Sequence, residues 1–527
     1  MPVLLYLDTM ASNTIDFNRN IIPTWHTYEE TSRAGELEFS REVATPVRFG
    51  RFTDYVEVWK DRHDINSASD LVNAGLVSGN SKSLEVKESA YFIKTHENQT
   101  SKLVQDVAGA ILNSEKSNDE GLVSTGFENR IISLLGQFDT QKAAIKARIG
   151  LIRKQLFDFC YNPIAYCELA RYFMDLGMLK KAEYYMRIAL HLAPNHRYVT
   201  RCGARFYLHL GRPDIARHIL VKNAWVKFDP WVMASEIAVE SVMEKSSQYL
   251  KKGRQLVLSG SISPFSSSEL SLAICKEDIK ADKRSDSRVM FSKGMIKPNE
   301  NSLAQAESFI RLYPSFEIDY DSYEYLNNRN EADTRLLYNK EDFKGAYESS
   351  LYWLLSYRFS KEPVSFAFDI ASTFLKRYDD SIRILDIGLD ANPGDVGFLN
   401  NKAYAYGLLD KPDDAENVLS QLDIESVLSQ KPSIGICLFA TTGLIRYRQS
   451  RFDEARRMYF NAIDYAKKIG NDQLADKARL NMIREEVRNV KDYDTSILGE
   501  IDSLDTGSKA ETDQIKKDIL DEVVAKR

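Results

Sequence analysis

Long apolar runs are missing from this chain. No stretch of 18 apolar residues occurs in its 527 residues, so no segment is expected to span a membrane. The opening MPVLLYLDTMAS is apolar but lacks a basic flank and is too short for a signal peptide. Cysteine is scarce. The five residues, Cys160, Cys167, Cys202, Cys275 and Cys437, are odd in number and none pair as C-x-x-C. That argues against a disulfide framework or a zinc ribbon and fits a reducing cytoplasm, with the thiols as small core residues. An excess of base is missing as well. The 70 Lys and Arg are outnumbered by 76 Asp and Glu, and a net charge of −6 disfavours a general nucleic-acid binder. Catalytic signatures are absent too: no Walker A pattern, no G-x-G-x-x-G, no H-E-x-x-H and no G-x-S-x-G. The seven histidines are dispersed, and His191 and His196, five apart around a helix end, make poor ligand geometry. No cofactor and no metal are expected in the body of the chain.

What the chain has is helical periodicity. Its clearest stretch is Pro163 to Pro194, PIAYCELARYFMDLGMLKKAEYYMRIALHLAP. Tyr166, Leu169, Ala170 and Phe173 fall at i, i+3, i+4 and i+7 and share one helical face. Gly177 sits where a turn needs conformational freedom or close approach. Ala182, Met186 and Ala189 share a face of a second helix, the small alanines allowing the two helices to approach. Pro194 ends it. This arrangement resembles the tetratricopeptide repeat, a helical hairpin of about 34 residues. The resemblance implies an all-α solenoid that binds proteins or peptides.

Proline spacing supports an array. Pro163, Pro194, Pro230, Pro264, Pro298, Pro363 and Pro393 are separated by 31, 36, 34, 34, 65 and 30 residues, the 65 close to two repeats. A second copy keeps Ala204, Tyr207, Ala216 and Leu220, with Asn223 at a position where Ala is usual and distortion is expected. Later copies keep Ala403, Tyr406, Ala415 and Leu419, then Gly443, Ala455, Tyr459 and Ala462. About eight hairpins are expected over residues 163–490, led in by a helical segment at 121–162 and closed by a helix at Gln473–Asn489. An acidic, Tyr-rich insertion at 315–330 reads as a docking segment, a plug for the groove or a surface loop. Residues 491–527 read as a charged, mobile tail with one short helix, Glu511–Ala525.

Residues 1–120 form a smaller N-terminal domain with helices expected at about Ser67–Ala74, interrupted by Gly75 and Gly79, at Leu84–Thr95 and at Thr100–Leu112. A first strand, Val3–Leu7, ends in Asp8-Thr9, which resembles the opening of PIN-domain nucleases. That resemblance implies a divalent metal held by Asp8 with Glu36 or Glu38 and Asp70 or Asp106. The alternative is a buried strand whose Asp caps a helix. A DNA-binding helix-turn-helix is disfavoured by charge, since this segment holds 12 Lys and Arg against 19 Asp and Glu.

In the tetratricopeptide family the first helices of successive hairpins line a concave groove. Positions off the packing stripe there include Arg171, Arg201 and Arg205, whose guanidiniums suit an acidic peptide or a C-terminal carboxylate. The alternative is a basic face paired with neighbours such as Glu168 or Asp175. Asn400, Tyr404 and Tyr447 are groove candidates at the far end. The function expected is a scaffold or adaptor that captures a protein or peptide. Alternatives are an effector whose N-terminal enzymatic domain, with Asp8 as its catalytic candidate, is controlled by the array, and a ligand-sensing regulator.

Overall fold

The computed structural model describes residues 22–25, 52–77, 80, 83–96, 102–113, 122–310, 316–323, 326 and 329–526. Among them the chain is all-α, with no strand. It divides into two compact units, residues 37–133 and residues 1–36 with 134–527. The expected strand at Val3–Leu7, together with Asp8, Glu36 and Glu38, lies outside the described residues.

The smaller unit holds the helices Phe52–Arg62, Ile65–Val77, Leu84–Thr95 and Lys102–Asn113. The second starts earlier than its serines suggest. Asp64 accepts the backbone N–H of Ser67 at 2.8 Å, while the Ser67 hydroxyl accepts that of Asp64 at 3.1 Å, a reciprocal cap. Gly75 does not interrupt this helix. A Cβ there would lie 2.5 Å from the Val86 side chain, so glycine allows two helices to touch. Trp59, Leu71, Val72, Val86, Ala90 and Ile93 form the core.

The larger unit is built from helical hairpins. Pro163–Asp175 and Leu179–Leu192 form the first, with the side-chain oxygen of Asn162 capping the first helix and Pro163 in its opening turn. Leu169, Ala170, Phe173, Ala182, Met186 and Ala189 are buried between and beneath the two helices. Gly177 takes the left-handed conformation, φ +67°, and the N–H of Met178 donates to the carbonyl of Phe173 at 2.8 Å. This is a Schellman turn, which satisfies the last carbonyls of one helix while reversing the chain. The same device recurs at Gly211, Glu244, Asp282, Glu341, Asp410 and Ser450, each with φ between +51° and +68°, and Lys376 (φ +55°) makes a wider variant in which Arg377 N–H donates to Ala371 O at 2.8 Å. The matching long bonds include Arg212 N–H to Tyr207 O, Lys411 N–H to Tyr406 O and Arg451 N–H to Arg446 O, at 2.8, 3.0 and 2.9 Å. Among the described residues these eight left-handed turns each join two helices, while Glu300–Ile310, Ile424–Gln430, Asp472–Asn489 and Lys509–Lys526 stand outside those pairs.

Asn223 is where the second copy departs from the first: Pro213–Lys222 ends just before it, whereas Leu179–Leu192 runs on past the equivalent Ala189, and the Asn223 amide donates to Thr200 Oγ1 at 2.8 Å. Other expectations need correction. In the acidic insertion, Phe316 stacks on Phe291 with centroids 4.3 Å apart, and the Tyr323 hydroxyl donates to Met295 O at 2.6 Å. Those two side chains are buried against a hairpin, as an exposed loop would not allow. The tail is packed as well. Its helix Lys509–Lys526 lays Ile515, Ile519 and Val523 on Leu480, Ile483 and Val487 of Asp472–Asn489. The array is therefore closed by the last helix, and Asp472–Asn489 is an interior element.

The segment ahead of the array is one helix, Leu122–Asp158. From residue 134 onward it packs on more than the first hairpin. Gln141 Nε2 donates to Leu355 O at 2.9 Å, Arg383 Nη2 donates to Leu135 O at 2.9 Å, and Arg358 donates to Gln141 Oε1 at 3.1 Å. Residues from the middle of the array thus return to its beginning. At Gly177 a Cβ would lie 2.4 Å from the carbonyl oxygen of Asp390, so the first hairpin turn rests against residues some two hundred positions later.

Candidate functional site

The six groove candidates are buried in the chain itself. Arg171 Nη2 donates to the carbonyl of Ser356 at 2.8 Å. Arg201 pairs with Glu269 at 2.8 Å, and Glu269 also accepts from Asn299 at 2.8 Å. Arg205 donates to Ser360 Oγ at 2.9 Å, lies 3.9 Å from the Glu362 carboxylate and covers the Phe359 ring at 5.7 Å. The guanidiniums of Arg171 and Arg205 are thus brought together by residues 356–362, while Arg201 serves a separate polar cluster. Each is under one-tenth exposed, so an open basic groove at these three residues is not what they form. For Arg171 and Arg205 the physical reason is the return of residues 355–393 onto the first two hairpins, which an array of nearest-neighbour contacts alone would not predict, whereas Arg201 is covered through its own pair with Glu269.

The far trio is buried too. Asn400 donates to Asn401 Oδ1 at 3.2 Å. The Tyr404 hydroxyl accepts from Arg484 at 3.4 Å, Arg484 pairs with Glu485 at 3.0 Å, and Glu485 pairs with Arg448 at 2.8 Å. Tyr447 donates a short hydrogen bond to Glu486, which also takes Arg456. Tyr404 and Tyr447 therefore belong to one hydrogen-bonded region around Glu485 and Glu486, in which burial is offset by charge pairing.

Of the residues considered for a metal, Asp70 lies exposed on the helix Ile65–Val77, and the side chain of Asp106 lies outside the described residues. No group of three or more His, Cys, Asp or Glu among the described residues has metal-binding geometry. A cleft bounded by Leu250, Lys251, Arg254, Glu277, Asp278 and Lys280 is charged, but Arg254 pairs with Asp278 at 2.5 Å and Lys280 with Glu277 at 3.1 Å. Its charges are largely spent on one another.

A different feature stands out at the point where residues 356–362 meet the first hairpins. Ile22–Trp25 is non-helical and belongs to the same compact unit as the array. Pro23 disfavours helix at Ile22, which precedes it. The Trp25 side chain is fully buried. Its ring meets Phe206 edge-on at 6.2 Å and Phe359 at 5.7 Å, in T-shaped contacts. Asn301 Nδ2 donates to the backbone carbonyl of Ile22 at 2.9 Å.

The walls of this pocket are fixed independently of Trp25. The Phe359 N–H donates to Asp175 Oδ1 at 3.1 Å, and its carbonyl accepts from Asn392 at 3.1 Å. His209 packs edge-on to Phe359 at 5.4 Å. Burial, and then Arg205 and Lys361, push the His209 imidazole down to about 3, so it stays neutral beside Phe359. Burial raises Asp175 to about 6 against the pull of Arg171 and Arg358.

Sequence reasoning named none of Trp25, Phe359 or Asn301. One signal was available: a tryptophan two residues after a proline in an otherwise polar stretch, IPTWHTYEE. No family model matches the chain, and no curated protein matches it.

Proposed function

We propose that this chain is a protein-interaction scaffold whose helical array grips an extended stretch of polypeptide. The observation that carries the reading is the seat of Ile22–Trp25. A non-helical segment is held there by a buried aromatic anchor and by a side-chain hydrogen bond to its backbone carbonyl. Those are the means by which helical arrays hold extended peptides: main-chain reading for affinity, side-chain pockets for specificity. The recurrence of left-handed turns near a 34-residue period, as from Gly177 to Gly211 and from Lys376 to Asp410, supports a tetratricopeptide-like repeat. The buried candidates Arg171, Arg201, Arg205, Asn400, Tyr404 and Tyr447 serve in this reading as supports of the inner surface. Four buried free cysteines, with Cys160 exposed, fit a reducing cytoplasm.

Cross-linking tests this directly. The full-length chain would be captured from its source cells with its partners, cross-linked and mapped by mass spectrometry. Cross-links from a partner polypeptide to the first helices of the hairpins between residues 163 and 490 are expected. Cross-links confined to residues 52–113 would sink the reading.

A further inference from the structure

The Trp25 pocket has the features of a site with an exchangeable occupant. Its two principal contacts with the segment are insensitive to most of the segment's sequence. Asn301 reads a backbone carbonyl, which any residue offers. Phe206 and Phe359 meet a ring edge-on, which phenylalanine supplies as well as tryptophan. The Trp25 indole N–H has no partner among the described residues. A buried donor without an acceptor costs about 1–3 kcal/mol, so the native occupant is a compromise fit to an apolar site.

The site is also formed in advance. Phe206 is set in the helix Arg197–His209, and Phe359 is pinned at both its N–H and its carbonyl by Asp175 and Asn392. Arg205 holds the following residue, Ser360, at 2.9 Å. None of these bonds involves Ile22–Trp25, so the pocket keeps its walls when the segment leaves. A preformed site loses little entropy on taking a new occupant.

We propose that this pocket, lined by Phe206 and Phe359 with Asn301 at its edge, binds an extended segment of another polypeptide through an apolar aromatic anchor, Phe or Trp. Ile22–Trp25 is its resident occupant in cis and must be displaced. The inference rests on the scaffold reading and names the site and the ligand class within it. The cis segment competes as an intramolecular ligand, so a free partner binds only by outcompeting its effective concentration at the pocket. A partner in trans therefore binds weakly until the segment is released, and any event that withdraws Trp25 raises affinity.

The test uses the full-length chain and a fluorescein-labelled synthetic peptide with the sequence of residues 20–27, read by fluorescence anisotropy. Trp25→Ala is expected to bind the peptide at least about tenfold more tightly than the unaltered chain, because the cis competitor is gone. A peptide with Phe in place of Trp binds as well or better, and one with Ala does not bind. Adding Phe359→Ala to Trp25→Ala abolishes binding. A Trp25→Ala chain with unchanged circular dichroism that binds no peptide would overturn the proposal, as would equal binding with and without Phe359. A second measurement covers a variant that fails to fold. Hydrogen exchange of the Thr24 and Trp25 amides in the unaltered chain should proceed through local opening, faster than in Arg197–His209 or Lys361–Asp369. Exchange only by global unfolding makes Trp25 a permanent core residue and overturns the proposal. Failure here while a partner still cross-links along the hairpins removes the pocket and leaves the scaffold reading standing.

Discussion

Two glycines in equivalent turns separate conformational from steric demand. Gly177 and Gly211 have nearly the same left-handed φ, +67° and +68°. A Cβ at Gly211 would meet open space, whereas one at Gly177 would lie 2.4 Å from the Asp390 carbonyl and 2.8 Å from Pro393. Gly211→Ala is therefore expected to cost about 1–2 kcal/mol, the price of a left-handed alanine. Gly177→Ala is expected to cost clearly more, because backbone must also move; chemical denaturation of the two variants side by side measures the difference. At this scale the hairpin stripe was well legible. Leu169, Ala170, Ala182, Met186 and Ala189 were named from spacing, and all are buried, because residues 3 or 4 apart on a helix share a face regardless of what lies beyond. The ring of Tyr166, also named, is half-buried and stacks on Tyr185 at 6.1 Å. Trp25 and Phe359 were not legible, since their partners come from helices far away in sequence. The groove candidates were misjudged for a related reason. Helical periodicity tells which side chains leave the stripe, and nothing about which distant segment then covers them.

At the level of elements, a glycine makes a left-handed turn easy to read, as at Gly177 and Gly211. Glu244, Asp282, Glu341, Lys376, Asp410 and Ser450 perform the same left-handed step without a glycine, the strain being offset by the bonds each turn makes. The C-terminal helix expected at Glu511–Ala525 is present as Lys509–Lys526, but its docking hid behind its charge. Its polar face suggested a loose tail, yet it is docked through Ile515, Ile519 and Val523 and through a buried Lys477–Glu511 pair. Lys477→Met strands the Glu511 carboxylate and is expected to lower stability by about 3–5 kcal/mol. Adding Glu511→Leu should restore a large part of that, a recovery that thermal melts of the single and double variants would reveal. Asp369 faces the same lysine. Burial first, and then the Glu511 carboxylate, push it up to about 7, with Lys477 and Thr373 opposing. Its folded pKa thus lies above the unfolded value of about 4, so folding takes up a proton between those limits and stability from this group falls as pH rises through the window. Asp369→Asn should flatten that fall, visible as a smaller drop in Tm between pH 5 and pH 8 than in the unaltered chain.

Across the larger unit, the bonds that tie residues 134–142 and the first hairpin to residues 355–393 alter how the array should unfold. An open solenoid melts as a series of nearest-neighbour steps. Here Arg358, 3% exposed at its side chain, donates to Phe138 O, Gln141 and Asp390, and so joins an early helix to a late one. Hydrogen exchange is expected to show residues 134–158 and the helix Tyr378–Ala391 opening with the same free energy. Arg358→Ala should separate them, the two helices then opening at different free energies. Coincident opening in the variant would show that the tie is not needed for cooperativity.

The resting of Gly177 on Asp390 also bears on heredity. Genes for open repeat arrays grow and shrink by duplicating or losing whole repeats, because one more copy merely lengthens the stack. Between residues 177 and 390 that freedom is gone: an added or deleted hairpin would carry one side of the contact away from the other. The Lys376–Asp518 pair spans the following stretch in the same way. Descendants of such a gene are expected to diverge by substitution while their number of hairpins stays constant.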